Sequence, residues 1–372
     1  MVYFLLLVAV LAPVFDRTKN KDIGLLISFF VLFFIAAFEY MCINDWEVYV
    51  QRWRAANGTM RDTLDTEYLY ALLMRICRPI GFFGFMAVTA LFNFGAYYYL
   101  VRKYIQPKLY WLFFVVFALI PKHYLLLVDT NRQTLTVTLI MLAVDCFVSD
   151  RHVLDRLGGD LKYVVRYAVA LLCFYLAINI HTAAIAALPI LALPFIAHLK
   201  KRVLNPYVIL GILMALFVSR FFLSVDVLRD YISTFLAESD SRFRHYTYQL
   251  EEKDSFTFYL QSLYVVFFIG ITLTYKKLSR YEFVVALCFA IGVFIEPFLT
   301  MDVGRLLMYY SLYMPFLACY LVGKSPFLWY RHLLIVMVVL YSLVNFQRYH
   351  MQREYHKYFD NFQTVFEQEI WE

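Results

Sequence analysis

The stretch IGFFGFMAVTALFNFGAYYYL, Ile80 to Leu100, runs for 21 residues without a charged side chain and is followed almost at once by Arg102 and Lys103. About 20 apolar residues in an α-helix cross the hydrocarbon of a bilayer, so this run reads as a span. No water there can satisfy stray N–H and C=O groups, which makes the run helical. Similar runs extend outward in both directions: Val2 to Phe15, Ile23 to Ile43, Leu109 to Ile120, Thr134 to Val148 and Tyr163 to Ile178. A second set follows at Thr182 to Ala197, Pro206 to Leu223, Phe258 to Tyr275, Phe283 to Ile295, Leu306 to Val322 and Leu333 to Val344. The sequence therefore predicts an all-α, polytopic membrane protein of about 12 transmembrane helices.

Composition agrees. Of 372 residues 62% are hydrophobic, 20% aromatic and only 17% charged, whereas soluble domains carry roughly 25% charged residues. The 31 Tyr and 37 Phe against 12 Gly and 10 Pro exclude collagen-like, low-complexity and disordered classes. Six cysteines are scattered through apolar runs, with no C-x-x-C pair and no metal-ligand spacing, so neither a disulfide framework nor a zinc site is signalled. The first run lacks a basic leader and a small-residue cleavage site before Asp16, and reads as a span instead of a signal peptide. With no internal repeat and no Gly/Ser- or Pro-rich linker, residues 1–372 read as one transmembrane domain.

Lysine and arginine placement orients the chain, because short translocated loops avoid positive charge. Arg17, Lys19 and Lys21, then Arg102, Lys103 and Lys108, then Arg151 to Arg166, Lys200 to Arg202, Lys276 to Arg280, and Lys324 with Arg331 fall in alternate connections. That side is expected to be cytoplasmic. The short connections opposite hold only Lys122, Arg132 and Arg305. Two longer outward loops, near residues 44–79 and 224–257, have room for short amphipathic helices.

The candidate chemistry lies on the outward side. Asp45 and Tyr49 are four apart and share a helix face. Asp45 there is a candidate base or cation ligand, with Glu47 beside it, though an interfacial helix with indoles at headgroup level accounts for Trp46 and Trp53 equally well. Glu67 precedes Tyr68-Leu69-Tyr70, a helix start that favours an acidic residue on dipole grounds alone. Glu39 falls inside the second run near its outer end, where an ionisable group is a functional candidate by default. Arg132, followed by Gln133, breaks the positive-inside pattern; its fork suits a phosphate, and an ion pair with Asp129 is the plain alternative. His181 sits in a sharp turn, where a structural hydrogen bonder is the ordinary reading. Glu296, Asp302 and Arg305 cluster in the last outer turn, and Arg242-Phe243-Arg244-His245-Tyr246 could bind an anionic headgroup while its rings stack on sugars.

In order and spacing these residues resemble the EpsG-type, Wzy-like polysaccharide polymerases of bacterial envelopes. The resemblance rests on Asp45-x-x-x-Tyr49, on Glu67-x-x-Tyr70-x-Leu72-Leu73, on Arg132-Gln133 opening a span, on His181 beginning a later one, and on Arg305 followed by Tyr309-Tyr310. Family members often carry Pro-Gly within the Glu-x-x-Tyr element, where this chain has Tyr68-Leu69. The resemblance implies a GT-C-like membrane glycosyltransferase that joins undecaprenyl-diphosphate-linked oligosaccharide repeat units at the outer face of the cytoplasmic membrane. It implies Asp45 or His181 as base with Glu67 in support. Arg132, Gln133, Arg305, Tyr49, Tyr70, Glu296, Arg242 and Arg244 would bind substrate. No cofactor is then required and a divalent cation is optional. Expected partners are the lipid-linked glycan, membrane lipids, a chain-length regulator and a flippase, with no nucleic acid. Three other readings are a transferase that makes single additions from a polyprenyl monophosphate sugar, a transporter of lipid-linked glycans, and a glycan acyltransferase with His181 as base.

Overall fold

The computed structural model describes residues 2–16, 22–39, 45–58, 67–120, 123–124, 127–128, 130–148, 161–203, 205–222, 255–296, 307–351 and 364. The chain divides into two compact units, Met1–Ile185 with Val339–Glu372, and Ala186–Val338. The division falls inside a single 3-10 turn, Thr182–Ala187. Among the described residues the structure is helical, apart from one isolated bridge between Glu39 and Thr364.

In the first unit the helices are α1 (Val2–Leu11), α2 (Ile23–Phe38), α3 (Trp46–Ala56), α4 (Tyr68–Ile76), α5 (Gly81–Tyr104), α6 (Tyr110–Leu119), α7 (Asn131–Val148) and α8 (Leu161–Ile180). Each boundary has a local cause. Asp16 starts α2 by accepting from Gly24 N at 2.8 Å and Leu25 N at 2.6 Å, which satisfies two of the orphan donors of a helix start. Gly24 is required there, since a Cβ would lie 2.2 Å from the Ala12 carbonyl oxygen. Gly81, at φ 74°, closes the 3-10 turn Arg78–Ile80 before α5 begins.

α2 buries Leu25, Phe29, Leu32 and Ile35 and exposes Ile23, Leu26 and Phe30, at 57, 56 and 61%. α5 does the same with Phe85, Phe94 and Tyr97 inward and Val88 and Leu91 outward. A soluble protein does not present whole apolar helix faces to solvent, and lipid is what these faces suit. Between the helices, Phe29 packs against Phe114, Tyr98 and Phe113, with ring centroids 5.0 to 6.3 Å apart. Such close packing, and not water exclusion, is what holds helices together in a bilayer. α7 and α8 pack through small and thiol side chains, Ala143, Cys146 and Ala170, and Arg166 Nε donates to the Cys146 carbonyl at 3.0 Å.

The second unit holds α9 (Leu188–Val203), α10 (Pro206–Phe222), α11 (Ser255–Thr274), α12 (Arg280–Ile295), α13 (Met308–Ser311) and α14 (Met314–Lys324). α15 (Leu328–Met351) contributes to both units. A Ser279–Glu282 capping box opens α12. Phe267 and Phe289 pack with centroids 4.9 Å apart, and Tyr330 Oη donates to the Val266 carbonyl at 2.7 Å.

Each of the twelve expected runs contains helix, and three helical stretches, Arg78–Tyr104, Tyr163–Ile180 and Leu328–Arg348, are long and apolar enough to cross a membrane. Shorter apolar helices cover Tyr3–Phe15, Ile23–Phe38, Pro107–Leu119 and Thr182–Ala197. The expected second run reaches Ile43, of which residues 40–43 lie outside the described residues. Its helix stops at Phe38, and Glu39 turns extended (φ −66°, ψ 149°) to pair with Thr364. Glu39 is thus a helix end, buried at 1% exposure, instead of a residue within a span. The eleventh run is interrupted between α13 and α14.

Within the first unit the basic residues and the candidate site occupy opposite ends of the same helices. Lys103, at the end of α5, pairs with Asp145 near the end of α7 at 2.8 Å. Tyr99 donates to the same carboxylate at 3.0 Å, and Tyr104 donates to it as well. Arg132 stands at the other end of α7, about 20 Å away at the rise of an α-helix.

Candidate functional site

The site is built by three elements that meet at one carboxylate. Glu67 directly precedes α4, α7 begins at Asn131, and α8 ends at Ile180 just before His181. At the head of α4, Glu67 has extended backbone (φ −57°, ψ 138°) and makes no side-chain cap bond to its own helix. Its carboxylate instead bridges two other elements. Oε2 accepts from Arg132 Nη1 in a close ion pair, and Oε1 lies 3.0 Å from His181 Nδ1. All three side chains are largely shielded, with 12, 17 and 19% of the Glu67, Arg132 and His181 side chains exposed.

The electrostatics fix the protonation states. Burial pushes the Glu67 carboxyl up, but the hydrogen bond from His181 and the Arg132 charge outweigh it and hold the pKa at about 2. Glu67 is therefore ionised. Burial pushes His181 below its ordinary 6.5, with the Arg132 charge acting the same way and Glu67 opposing both. His181 is therefore neutral at neutral pH. A carboxylate can only accept, so the imidazole proton sits on Nδ1 and the lone pair on Nε2. A neutral imidazole fixed by a carboxylate through one nitrogen is the arrangement that leaves the other ready to take a proton.

Behind this cluster, α3 lays Tyr49 against α4, with the Tyr49 and Tyr70 rings 6.4 Å apart. Tyr70 is fully buried, and its hydroxyl donates to Asn131 Oδ1 at 3.1 Å. Asn131 Nδ2 donates in turn to Thr89 Oγ1 at 2.7 Å. This chain of bonds ties α4 to α7 and α5 immediately beside Glu67 and Arg132. Trp46 and Trp53 pack on Phe82 and Phe85 of α5 at 5.2 and 5.6 Å. The indoles thus anchor α3 to the protein as well as suiting a membrane interface.

Of the expected residues, the structure joins Glu67, Arg132 and His181 directly. Tyr49, Tyr70 and Gln133 are buried at 4, 0 and 4% exposure and supply the packing around them. Asp45 stands half-buried just ahead of α3, on the face that carries Tyr49, and Glu47 is exposed. Arg132 pairs with Glu67, 65 residues away. Glu296 ends α12 in the second unit. Arg242, Arg244, Asp302, Arg305 and Asp129 lie outside the described residues.

One residue escaped the sequence reading. Arg52 belongs to α3 and is only 9% exposed. Its signal was present: Asp45, Tyr49 and Arg52 are spaced i, i+4, i+7, which puts all three on one helix face.

No curated protein and no solved structure matches the chain. The EpsG family model matches residues 23–360, a range that contains Glu67, Arg132 and His181. With that coverage, and with apolar helices presenting lipid-suited faces, the chain is a membrane protein of the EpsG family.

Proposed function

We propose that this protein is a polysaccharide polymerase that joins undecaprenyl-diphosphate-linked oligosaccharide repeat units into an exopolysaccharide, capsule or O-antigen chain. The reaction takes place at the outer face of the bacterial cytoplasmic membrane, in a GT-C-like bundle of about 12 crossings. Membership of the EpsG family supports a polymerase-type function. The single observation that carries the chemistry is the Glu67 carboxylate, which holds a neutral histidine and an arginine side by side.

In the reaction a sugar hydroxyl of one lipid-linked unit attacks the anomeric carbon of another. The hydroxyl proton passes to His181 Nε2, while the bond from the anomeric carbon to the diphosphate breaks and its electron pair leaves with the lipid diphosphate. Arg132 offers Glu67 one Nη and keeps other donors of its fork for the leaving group, where negative charge grows in the transition state. Glu67 fixes the tautomer of His181 and stabilises the imidazolium that forms. His181 is the better base of the two candidates, because the unperturbed pKa of an imidazole lies closer to neutrality than that of an aspartate and Glu67 fixes its tautomer. Asp45 and Glu296 serve to orient sugar hydroxyls, and Arg305, Arg242 and Arg244 to gather the anionic headgroup. A diphosphate is already a good leaving group, so a divalent cation is optional.

The test is elongation by the purified full-length protein supplied with its lipid-linked repeat unit, resolved by product size and run beside His181→Gln. We expect a ladder from the wild type and a loss of about 100-fold or more in the variant with folding intact, the scale of one general base. Single additions in place of a ladder would select the polyprenyl-phosphate-sugar transferase, and substrate movement without new glycosidic bonds would select the transporter.

A further inference from the structure

Arg52 stands out among the buried residues. Its side chain lies on the inward face of α3 with Tyr49 and Ala56, 9% exposed. Nε and Nη1 are buried, and neither has a hydrogen-bond partner among the described residues. Buried cations in proteins are normally paired, and leaving one unpaired costs several kcal/mol. The groups that act electrostatically on Arg52 are those of the candidate site. Burial and then Arg132 push its pKa down, while Tyr49, Glu67 and Tyr70 act the other way, and its own charge is felt at His181.

The charges of this cluster do not balance. Arg52 and Arg132 are cationic, Glu67 supplies one negative charge and His181 is neutral, so among these four described side chains positive charge exceeds negative by one in a shielded position. Two guanidinium groups that feel each other's charge are the natural receptor for a group with more than one negative charge and several acceptor oxygens. Among the described residues nothing hydrogen-bonds to Nε or Nη1 of the Arg52 fork.

We propose that Arg52 is a substrate-binding residue whose buried, unpartnered guanidinium joins Arg132 to form a two-arginine clamp for a phosphate or diphosphate group. This rests on the polymerase reading for the identity of the ligand, the diphosphate of the lipid carrier, but the clamp itself is a statement about anion chemistry. A diphosphate spans both forks where a monophosphate satisfies one, so the clamp discriminates between the two carriers. Arg132 has part of its fork committed to Glu67, whereas Arg52 has the larger share of its donors to offer.

The experiment measures binding of undecaprenyl diphosphate, undecaprenyl monophosphate and inorganic diphosphate to the full-length protein in nanodiscs, for wild type, Arg52→Lys and Arg52→Met. Wild type should prefer the diphosphate lipid. Arg52→Met should weaken that binding by about tenfold or more and erase the preference over monophosphate, with Arg52→Lys in between. In the absence of ligand the melting temperature of Arg52→Met should stay level or rise, since an uncompensated buried charge has been removed. A structural arginine would give the reverse, a lower melting temperature with unchanged preference, and would overturn the clamp. Inorganic diphosphate that competes in wild type and not in Arg52→Met marks the anion itself as what is recognised. Competition confined to the lipid forms, yet still dependent on Arg52, marks the headgroup in its membrane setting. Diphosphate-lipid binding that is lost in Arg132→Gln but intact in Arg52→Met sinks the role of Arg52 and leaves the polymerase standing. A wild type that binds no diphosphate lipid sinks both.

Discussion

Exchanging Glu67 for Gln keeps the size of the side chain and removes the one negative charge that His181 and Arg132 share. The magnitude follows from the wild-type carboxyl, which titrates at about 2 instead of 4.5. That difference corresponds to about 3 kcal/mol at neutral pH, a ceiling because the side chain retains some contact with solvent. The folded pKa is depressed, so this stability is present above about pH 4.5 and is lost as pH falls through about 2. The variant should therefore melt at lower temperature near neutrality and lose less of its stability on acidification. Its chemistry should suffer more. A Gln amide can donate to Nδ1 and select the wrong tautomer, and it cannot stabilise an imidazolium, so elongation should slow by about 100- to 10,000-fold. The pH profile adds a second test. His181 works when deprotonated and its pKa is lowered by burial, so wild-type activity should rise with pH with a midpoint below that of an ordinary histidine. Glu67 is what raises the His181 pKa, and without it the rise should move to still lower pH at a reduced plateau. The assay is the initial rate of ladder growth from acid to neutral pH, with folding followed in parallel. A plateau within about threefold of wild type, with an unmoved profile, would refute the view that Glu67 holds a working base.

Arg132→Lys keeps the charge but not the fork. It can satisfy Glu67 or the diphosphate well but not both, and yield and length of polymer should fall by about tenfold, whereas unchanged product would remove Arg132 from the clamp. Asp145→Ala strands Lys103, whose side chain is 17% exposed beside a carboxylate that is 1% exposed. A loss of about 3 kcal/mol is expected, read as a lower melting temperature. Because Asp145 lies at the far end of α7, elongation per folded molecule should be unaffected, and a slowed reaction with normal melting would contradict that separation.

The all-helical character and the three longest apolar helices were legible in the sequence because their period and length are imposed by the solvent, and the lipid leaves few alternatives. Arg132 and His181 were legible for a related reason, being charged or titratable residues where the span pattern wants none. Which residues touch was not. Glu67 has an ordinary local explanation at a helix start, and only the tertiary structure reveals that its side chain ignores its own helix. Arg132 pairs with a carboxylate 65 residues away, a contact that no local spacing announces. Arg52 was hidden among exposed, polar neighbours, Gln51 and Arg54, and a charged residue one turn beyond Tyr49 suits an interfacial helix as well as a buried one. Glu39 was misplaced because hydrophobicity continues past Phe38 although the helix does not.

Glu67 draws on partners 65 and 114 residues further along the chain. During synthesis the segment that carries it emerges long before His181, and contacts of such separation form late. Until α8 has been made and packed, the Glu67–Arg132 pair has no histidine to orient. A nascent or truncated chain ending before His181 would carry every upstream motif and still lack a competent centre. Reactivity toward lipid-linked sugars would then be withheld from the ribosome-bound chain and appear only once its first half has been assembled.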